Sequence, residues 1–199
     1  MPPQPPIAAL LLAAGIGRRF DPSGARLKLI EAAPGGPHAG APLAVAALRN
    51  LRAAIGEVVA VVREADNAAQ RQLHALLAAE GAELVICQQA AAGMGHSLAC
   101  GVRARMDAAG WIVALADMPA VSPATIVAVR DAVAEGAPAV APVFHGERGH
   151  PVGFGRACRD RLLALTGDTG ARSVLAAFPP RLIDVEDPGC LHDIDTPSP

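Results

Sequence analysis

Apolar runs of strand length alternate with stretches of helical spacing along most of this chain, and that alternation limits the possible folds more than any other feature. The runs at 7–13, 58–62, 83–87 and 111–116 read as strands, with helices at 43–55, 67–80, 96–108 and 123–135. Strands joined through helices lie parallel, so the pattern predicts an open, doubly wound α/β sheet. Later the rhythm is less regular: 139–144, 151–154 and 181–185 read as strands, 156–165 and 171–178 as short helices. With 199 residues and no internal repeat or linker, the chain is expected to form one domain preceded by a disordered segment, 1–6. The Pro/Gly-rich segment 32–42 is expected to be a mobile surface loop, because such residues favour turns and bury little apolar area.

Small side chains must fill the core of such a sheet. Hydrophobic residues make up 52% of the sequence but aromatic ones only 3%, with no Tyr and one Trp. Gly, Arg or Glu breaks the longest apolar runs before membrane-spanning length, and Met1-Pro2-Pro3-Gln4-Pro5-Pro6 lacks the cationic start of a secretion signal. The expectation is a soluble cytoplasmic protein with no membrane partner. A net charge of -2 provides no global basic field, so nucleic acid is not an expected partner, while a local cationic pocket remains open. Cys87, Cys100, Cys158 and Cys190 lie far apart with no C-x-x-C pair, which points to reduced thiols rather than a zinc site or disulfide framework.

In open α/β sheets, ligands bind beyond the carboxyl ends of the strands. The polar motifs of this chain fall at those ends. The first strand runs into Leu11-Leu12-Ala13-Ala14-Gly15-Ile16-Gly17-Arg18-Arg19-Phe20, with Lys28 beyond it. Its small residues would let backbone N–H groups approach an anion while Arg19 and Lys28 neutralise the charge; an ordinary strand-to-helix turn with solvated cations is the other reading. Phe20 stands where the third small residue of a dinucleotide fingerprint should pack, and the P-loop spacing is absent. Gly93-Met94-Gly95-His96-Ser97-Leu98 opens a helix that Ser97 or His96 would cap. The N–H groups of its first turn would face a base or phosphate, or the stretch is only a glycine turn.

Asp117-Met118-Pro119 follows the fourth strand. A carboxylate there needs a cation or donors, which Mg²⁺ shared with substrate phosphates would provide; a plain cap of the next turn is the competing account. Gly146-Glu147-Arg148-Gly149-His150-Pro151-Val152-Gly153-Phe154 and Gly167-Asp168-Thr169-Gly170-Ala171-Arg172 combine glycine with polar groups suited to substrate contact, or form plain turns. Asp193-Ile194-Asp195-Thr196-Pro197 puts two carboxylates on one side if extended, and is otherwise a solvated acidic tail.

Taken in this order, these motifs resemble the molybdenum cofactor cytidylyltransferase branch of the MobA-like nucleotidyltransferase family, over nearly the whole chain. The resemblance implies a Rossmann-like, three-layer α/β/α nucleotidyltransferase fold with a mostly parallel sheet. It implies Mg²⁺-dependent transfer of a nucleoside monophosphate from an NTP, with release of pyrophosphate. By position, Leu12, Ala13, Ala14, Gly15 and Gly17 would line the nucleotide pocket, Arg19 and Lys28 would bind the triphosphate, and Gly93, Met94, Gly95 and Ser97 would hold base and ribose. Asp117 would ligate Mg²⁺, with Asp195, or else Asp193, as the second carboxylate. His150, Asp168 and Arg172 would lie on the acceptor side. CTP and a molybdopterin-type acceptor are the implied substrates, and a molybdoenzyme or its chaperone an implied partner.

The chemistry that follows is one of charge. An acceptor phosphate attacking the α-phosphorus of an NTP brings two anions together, so alignment and neutralisation by Mg²⁺, Lys28 and Arg19 carry the rate. That phosphate is already ionised near neutral pH, which leaves little for a general base such as His96 or His150. Ala14 in Leu-Ala-Ala-Gly resembles the cytidylyl branch, where the guanylyl branch typically has Leu-Ala-Gly-Gly, and a methyl there would narrow the pocket against a purine. Gly17 in place of the family's usual Ser, Phe20 without a following Gly, and the long 32–42 segment depart from the pattern. Use of another NTP or acceptor, and a non-catalytic cofactor chaperone, are the competing readings.

Overall fold

The first apolar run forms a strand sealed on both faces, and the sheet grows outward from it. In the computed structural model, which describes residues 6–15, 17, 20–21 and 26–194, β1 (Ile7–Leu12) pairs in parallel with β2 (Val58–Val62) and β4 (Gly110–Leu115). β2 pairs in parallel with β3 (Glu83–Ile86), giving the spatial order β3-β2-β1-β4. All of β2 is buried, as expected of a parallel strand covered on both sides.

The helices are α1 (Leu43–Ile55), α2 (Ala68–Ala79), α3 (Met94–Ala104), α4 (Pro123–Ala134), α5 (Arg159–Leu163) and α6 (Arg172–Ala177). Because successive strand residues point to opposite faces, Ala9 and Leu11 enter a core with α1, α2 and α4, whereas Leu10 enters a second core with α3, α5 and α6. Small residues let the layers approach closely: a Cβ at Gly101 of α3 would lie 2.8 Å from Val61 Cγ2 of the sheet. The single Trp111 is fully buried, and its indole N–H donates to the Arg105 carbonyl at 3.0 Å. Helix starts follow their caps. Asn67 accepts from Gln70 N–H at the start of α2, and Ser122 from Ala124 N–H ahead of Pro123 in α4.

The remaining strands are β5 (Ala139–Phe144), β6 (Glu147–Arg148), β7 (Val152–Gly155) and β8 (Arg181–Asp184). β5 and β6 form a hairpin closed by His145 and Gly146, with φ of 49° and 83°. Positive φ at both central residues is the turn geometry that matches strand twist. The chain therefore reverses, and β7 runs antiparallel between β4 and β5, while β8 lies parallel on the other side of β5. The eight-stranded sheet is thus mixed, and parallel throughout β3-β2-β1-β4.

Three local expectations change. The 32–42 segment is tied at its base by an Ala32–Pro42 bridge, and Ala33 N–H donates to the Ala41 carbonyl at 2.7 Å. Ala33 is buried against Leu43 and Ala46, so the loop contributes to a small core of its own. Helix α3 begins at Met94 rather than near 96, with Gly93 as its uncapped first flank. It stops at Ala104 rather than 108, where the Arg105 carbonyl turns to the indole of Trp111. All four cysteines are free thiols, and burial pushes those of Cys100 and Cys158 up to about 11. Among the described residues, no helix is long and apolar enough to cross a membrane.

Candidate active site

Strand register brings the first two pieces of the site together. Leu12 of β1 lies beside Leu115 of β4, so the chains leaving those strands start side by side. Between them and the N-terminus of α3 opens a cleft of about 400 Å³, a volume typical of small-molecule sites. Leu12, Ala14, Gly15, Gly17, Lys28, Gly93, Met94, Ser97, Asp117 and Asp168 all line it. Ala13 sits beneath it instead, with its methyl in the core and its N–H donated to the Val61 carbonyl at 2.8 Å. Arg19 and Asp195 lie outside the described residues, as do Thr196, Pro197 and all but the last residue of 1–6.

Two glycines in the first loop differ in kind. Gly17 has φ +62°, and a Cβ there would lie 3.3 Å from Lys28 Cβ, so the turn itself requires glycine. A Cβ at Gly15 would meet nothing within 4 Å. Among the described residues, packing does not require glycine at Gly15. Phe20, a misfit in the sequence motif, lines the cleft and carries the Arg26 guanidinium 5.1 Å above its ring.

Lys28 is 6% exposed, and its Nζ donates to Asp117 Oδ2 at 2.8 Å. The Asp117 carboxylate is thus held by a lysine cation in the cleft wall. The carboxylate side chain remains 26% exposed. The following loop is fixed from below by Asn50 of α1, which is 4% exposed, donates to the Pro119 carbonyl at 2.9 Å and pairs with His38 at 3.1 Å.

The α3 side corrects the capping expectation. No side chain caps the helix: Gly93, with φ +129°, flanks it, and Ser97 is buried in its first turn. Gly95 N–H donates to the Gly167 carbonyl at 2.8 Å and His96 N–H to the Gly93 carbonyl at 3.2 Å, so these two groups are already engaged within the protein. A Cβ on Gly93 would lie 2.2 Å from the Gly167 carbonyl carbon, and one on Gly95 would lie 2.7 Å from the Thr166 carbonyl oxygen. The two glycine motifs therefore clasp each other, and the clasp carries Asp168 into the cleft wall. His96 does not line the cleft, nor does Arg172, which is exposed at the start of α6.

His150 lies in the bend between β6 and β7. Among the described residues its buried Nδ1 has no hydrogen-bond partner, and its backbone N–H donates to the Cys190 carbonyl at 2.8 Å. Burial holds its imidazole below the usual histidine range; Asp117 and Asp193 oppose that shift, and Arg148 adds to it. The C-terminal segment returns to this place, since Ile194 N–H donates to the Asp117 carbonyl at 3.0 Å. Asp193 is thereby carried next to Asp117. Leu115, Ala90 and Ala91 also line the cleft without having been expected. Strand register could have found Leu115, whereas two alanines carry no chemical signal.

The family model of the MobA-like NTP transferase domain matches residues 9–183. The chain belongs to that family. This MobA-like chain thus carries an NTP transferase domain. It is 37% identical over 119 residues to the purine catabolism protein PucB of Bacillus subtilis (strain 168), a match covering 57% of this chain and 57% of that relative's length. Rv0371c of Mycobacterium tuberculosis H37Rv superposes with a TM-score of 0.76 at 25% identity, covering 98% of this chain and 94% of that one. The same mycobacterial protein has been solved as a complex with manganese, which aligns at a TM-score of 0.67 and 24% identity over 90% and 88% of the two chains. The Methanothermobacter nucleotidyl transferase Mth528 has a TM-score of 0.75 at 23% identity, covering 96% and 92%. These structures share the fold of the MobA-like domain described above.

Proposed function

We propose that this MobA-like nucleotidyltransferase moves CMP from CTP to the phosphate of a molybdopterin-type acceptor, releasing pyrophosphate. The observation that carries the reading is the Lys28–Asp117 pair, at 2.8 Å, in the wall of the cleft between the β1 loop and α3. A buried lysine beside a partly exposed carboxylate suits a polyanionic substrate that arrives with a divalent cation. Lys28 and Arg19 would bind the triphosphate, with Ala14, Gly15 and Gly17 against the nucleotide and Met94 and Ser97 toward base and ribose.

The donor set fits Mg²⁺. Asp117 offers a hard carboxylate oxygen in the cleft, Asp193 or Asp195 would be the second, and substrate phosphates complete the shell such an ion prefers. Among the described residues no group of three or more His, Cys, Asp or Glu side chains gathers around a metal site. When bound, the cation would offset charge on the α-phosphate and the departing pyrophosphate. An acceptor phosphate oxygen attacks the α-phosphorus, the bond to the β-phosphate bridging oxygen breaks, and the protein supplies alignment and charge rather than a covalent intermediate. On the acceptor side, His150 would offer an imidazole whose Nδ1 has no partner among the described residues, Asp168 a carboxylate in the cleft wall, and Arg172 an exposed cation at the start of α6, outside the cleft lining. Ala14 favours CTP over a purine nucleotide, because a methyl in a packed pocket is discriminating.

The test is incubation with CTP, GTP, ATP or UTP, Mg²⁺ and molybdopterin, with pyrophosphate and the nucleotide adduct both measured. CTP should give both products, and Asp117→Ala should abolish them with the fold intact. Preferential turnover of GTP would overturn the cytidylyl assignment, and unchanged turnover by Asp117→Ala the metal assignment.

A further inference from the structure

Asp187 is a buried carboxylate, 7% exposed, that follows the last strand and that the proposed chemistry does not use. Among the described residues it pairs with no cation. Its two oxygens instead hold two different parts of the chain. Oδ2 accepts from Ser122 N–H at 2.9 Å and Thr125 Oγ–H at 2.7 Å, both at the start of α4. Oδ1 accepts from Gly189 N–H at 3.0 Å, in the turn Pro188–Leu191. Donors and the positive end of α4 make burial of the charge tolerable.

From that anchor the arm is seated step by step toward Asp117. Gly189 packs so closely on Ala120 that a Cβ would lie 2.1 Å from its carbonyl oxygen. The Cys190 carbonyl then takes the His150 N–H at 2.8 Å, and Ile194 N–H reaches the Asp117 carbonyl at 3.0 Å. The arm carries Asp193 and leads into Asp195.

We infer that Asp187 is a positioning residue for the divalent cation, tying the C-terminal arm to α4 so that Asp193 is held beside the Asp117 loop. The inference rests on the metal-assisted reading of the cleft given above. An aspartate is required because every group facing it donates. An asparagine accepts through one oxygen only, and its NH₂ would face a donor, so one of the two attachments is lost. Residues that orient metal ligands typically change metal affinity by about 10- to 100-fold when replaced.

The test compares the parent protein with Asp187→Asn, Thr125→Val and the conservative Thr125→Ser. Free Mn²⁺ is measured by electron paramagnetic resonance in the presence of CTP without acceptor, alongside amide exchange across residues 186–194. In Asp187→Asn and Thr125→Val the arm should exchange faster while β1 and β4 stay protected. Mn²⁺ affinity should fall about tenfold in Asp187→Asn, and metal-free CTP affinity should hold. Thr125→Ser should restore both readouts. Should Asp187→Asn fail to fold, Thr125→Val carries the same comparison through the α4 side. An arm that stays protected, or one that loosens with Mn²⁺ affinity unchanged, overturns the inference while leaving the cleft assignment standing. Failure of the parent to bind Mn²⁺ with CTP overturns the cleft assignment, and the inference with it.

Discussion

Gly15 and Gly17 sit two residues apart in one loop, yet different physical demands keep each of them small. At Gly17 the demand is internal: a left-handed backbone costs an L-residue roughly 1–2 kcal/mol, and Lys28 Cβ adds a 3.3 Å approach. At Gly15 the described residues make no demand, since a Cβ would meet none of them within 4 Å. The contrast gives a paired prediction. Gly17→Ala should lower Tm, by about 2–4 °C for each kcal/mol in a chain of this size. Gly15→Ala should leave Tm unchanged or raise stability by up to about 1 kcal/mol through the unfolded chain, yet weaken CTP binding by about tenfold or more, as an added methyl does in a fitted pocket. Calorimetric melting and nucleotide titration of both variants check this. A Gly15→Ala protein that binds CTP normally would remove the nucleotide from that wall. The Lys28–Asp117 pair belongs to the same scale. Loss of one partner from a fully buried pair costs roughly 3–5 kcal/mol, but water still reaches Asp117, 26% exposed, and lessens that cost.

Between elements, the defining contact is the clasp of the α3 start against the loop at 166–168. Gly93 combines an unusual φ of +129° with a neighbour that a Cβ would meet at 2.2 Å. Gly136, at the end of α4, has φ +99° and open space around it. Gly136→Ala therefore pays for backbone alone, whereas Gly93→Ala must also push Gly167 and Asp168 away. Gly93→Ala is expected to be the more destabilising by about 1–3 kcal/mol, read as the difference in urea midpoints at equal slope. Equal costs would mean that the clasp yields freely. Elements of this kind were partly legible in advance: strands β1 to β5 and helices α1, α2 and α4 follow from period and caps. The start of α3 was not, because Gly93 replaces a polar cap and its partner loop lies far along the chain. The β5–β6 hairpin was also missed, since His145 bears a positive φ that sequence does not advertise.

At the scale of the whole molecule, His150 marks the place where the β6–β7 bend, the Asp117 loop and the C-terminal arm converge. Sequence motifs named the residues on each piece, and strand order explains why β1 and β4 bring theirs together. Only the fold could reveal that Ile194 returns to Asp117, or that Asp187 anchors that return, because both contacts join segments with no local pattern in common. This convergence has a pH signature. Burial holds the His150 imidazole below its ordinary value of 6.5, so the unfolded chain binds a proton more readily than the native one. Stability must then rise with pH across the gap between the two values and fall as pH drops below about 6.5. Glu80 and Glu83, held below their ordinary 4.5 by Arg49 and Arg105, lose their contribution only in more acidic solution. Between about pH 7.5 and about pH 5.5 His150 contributes a slope of at most about 1.4 kcal/mol per pH unit, as one group does. Metal-free protein should lose Tm on acidification through that interval, and His150→Gln should flatten the profile. A variant as pH-sensitive as the parent would show that protonation at this junction does not govern the stability of the fold.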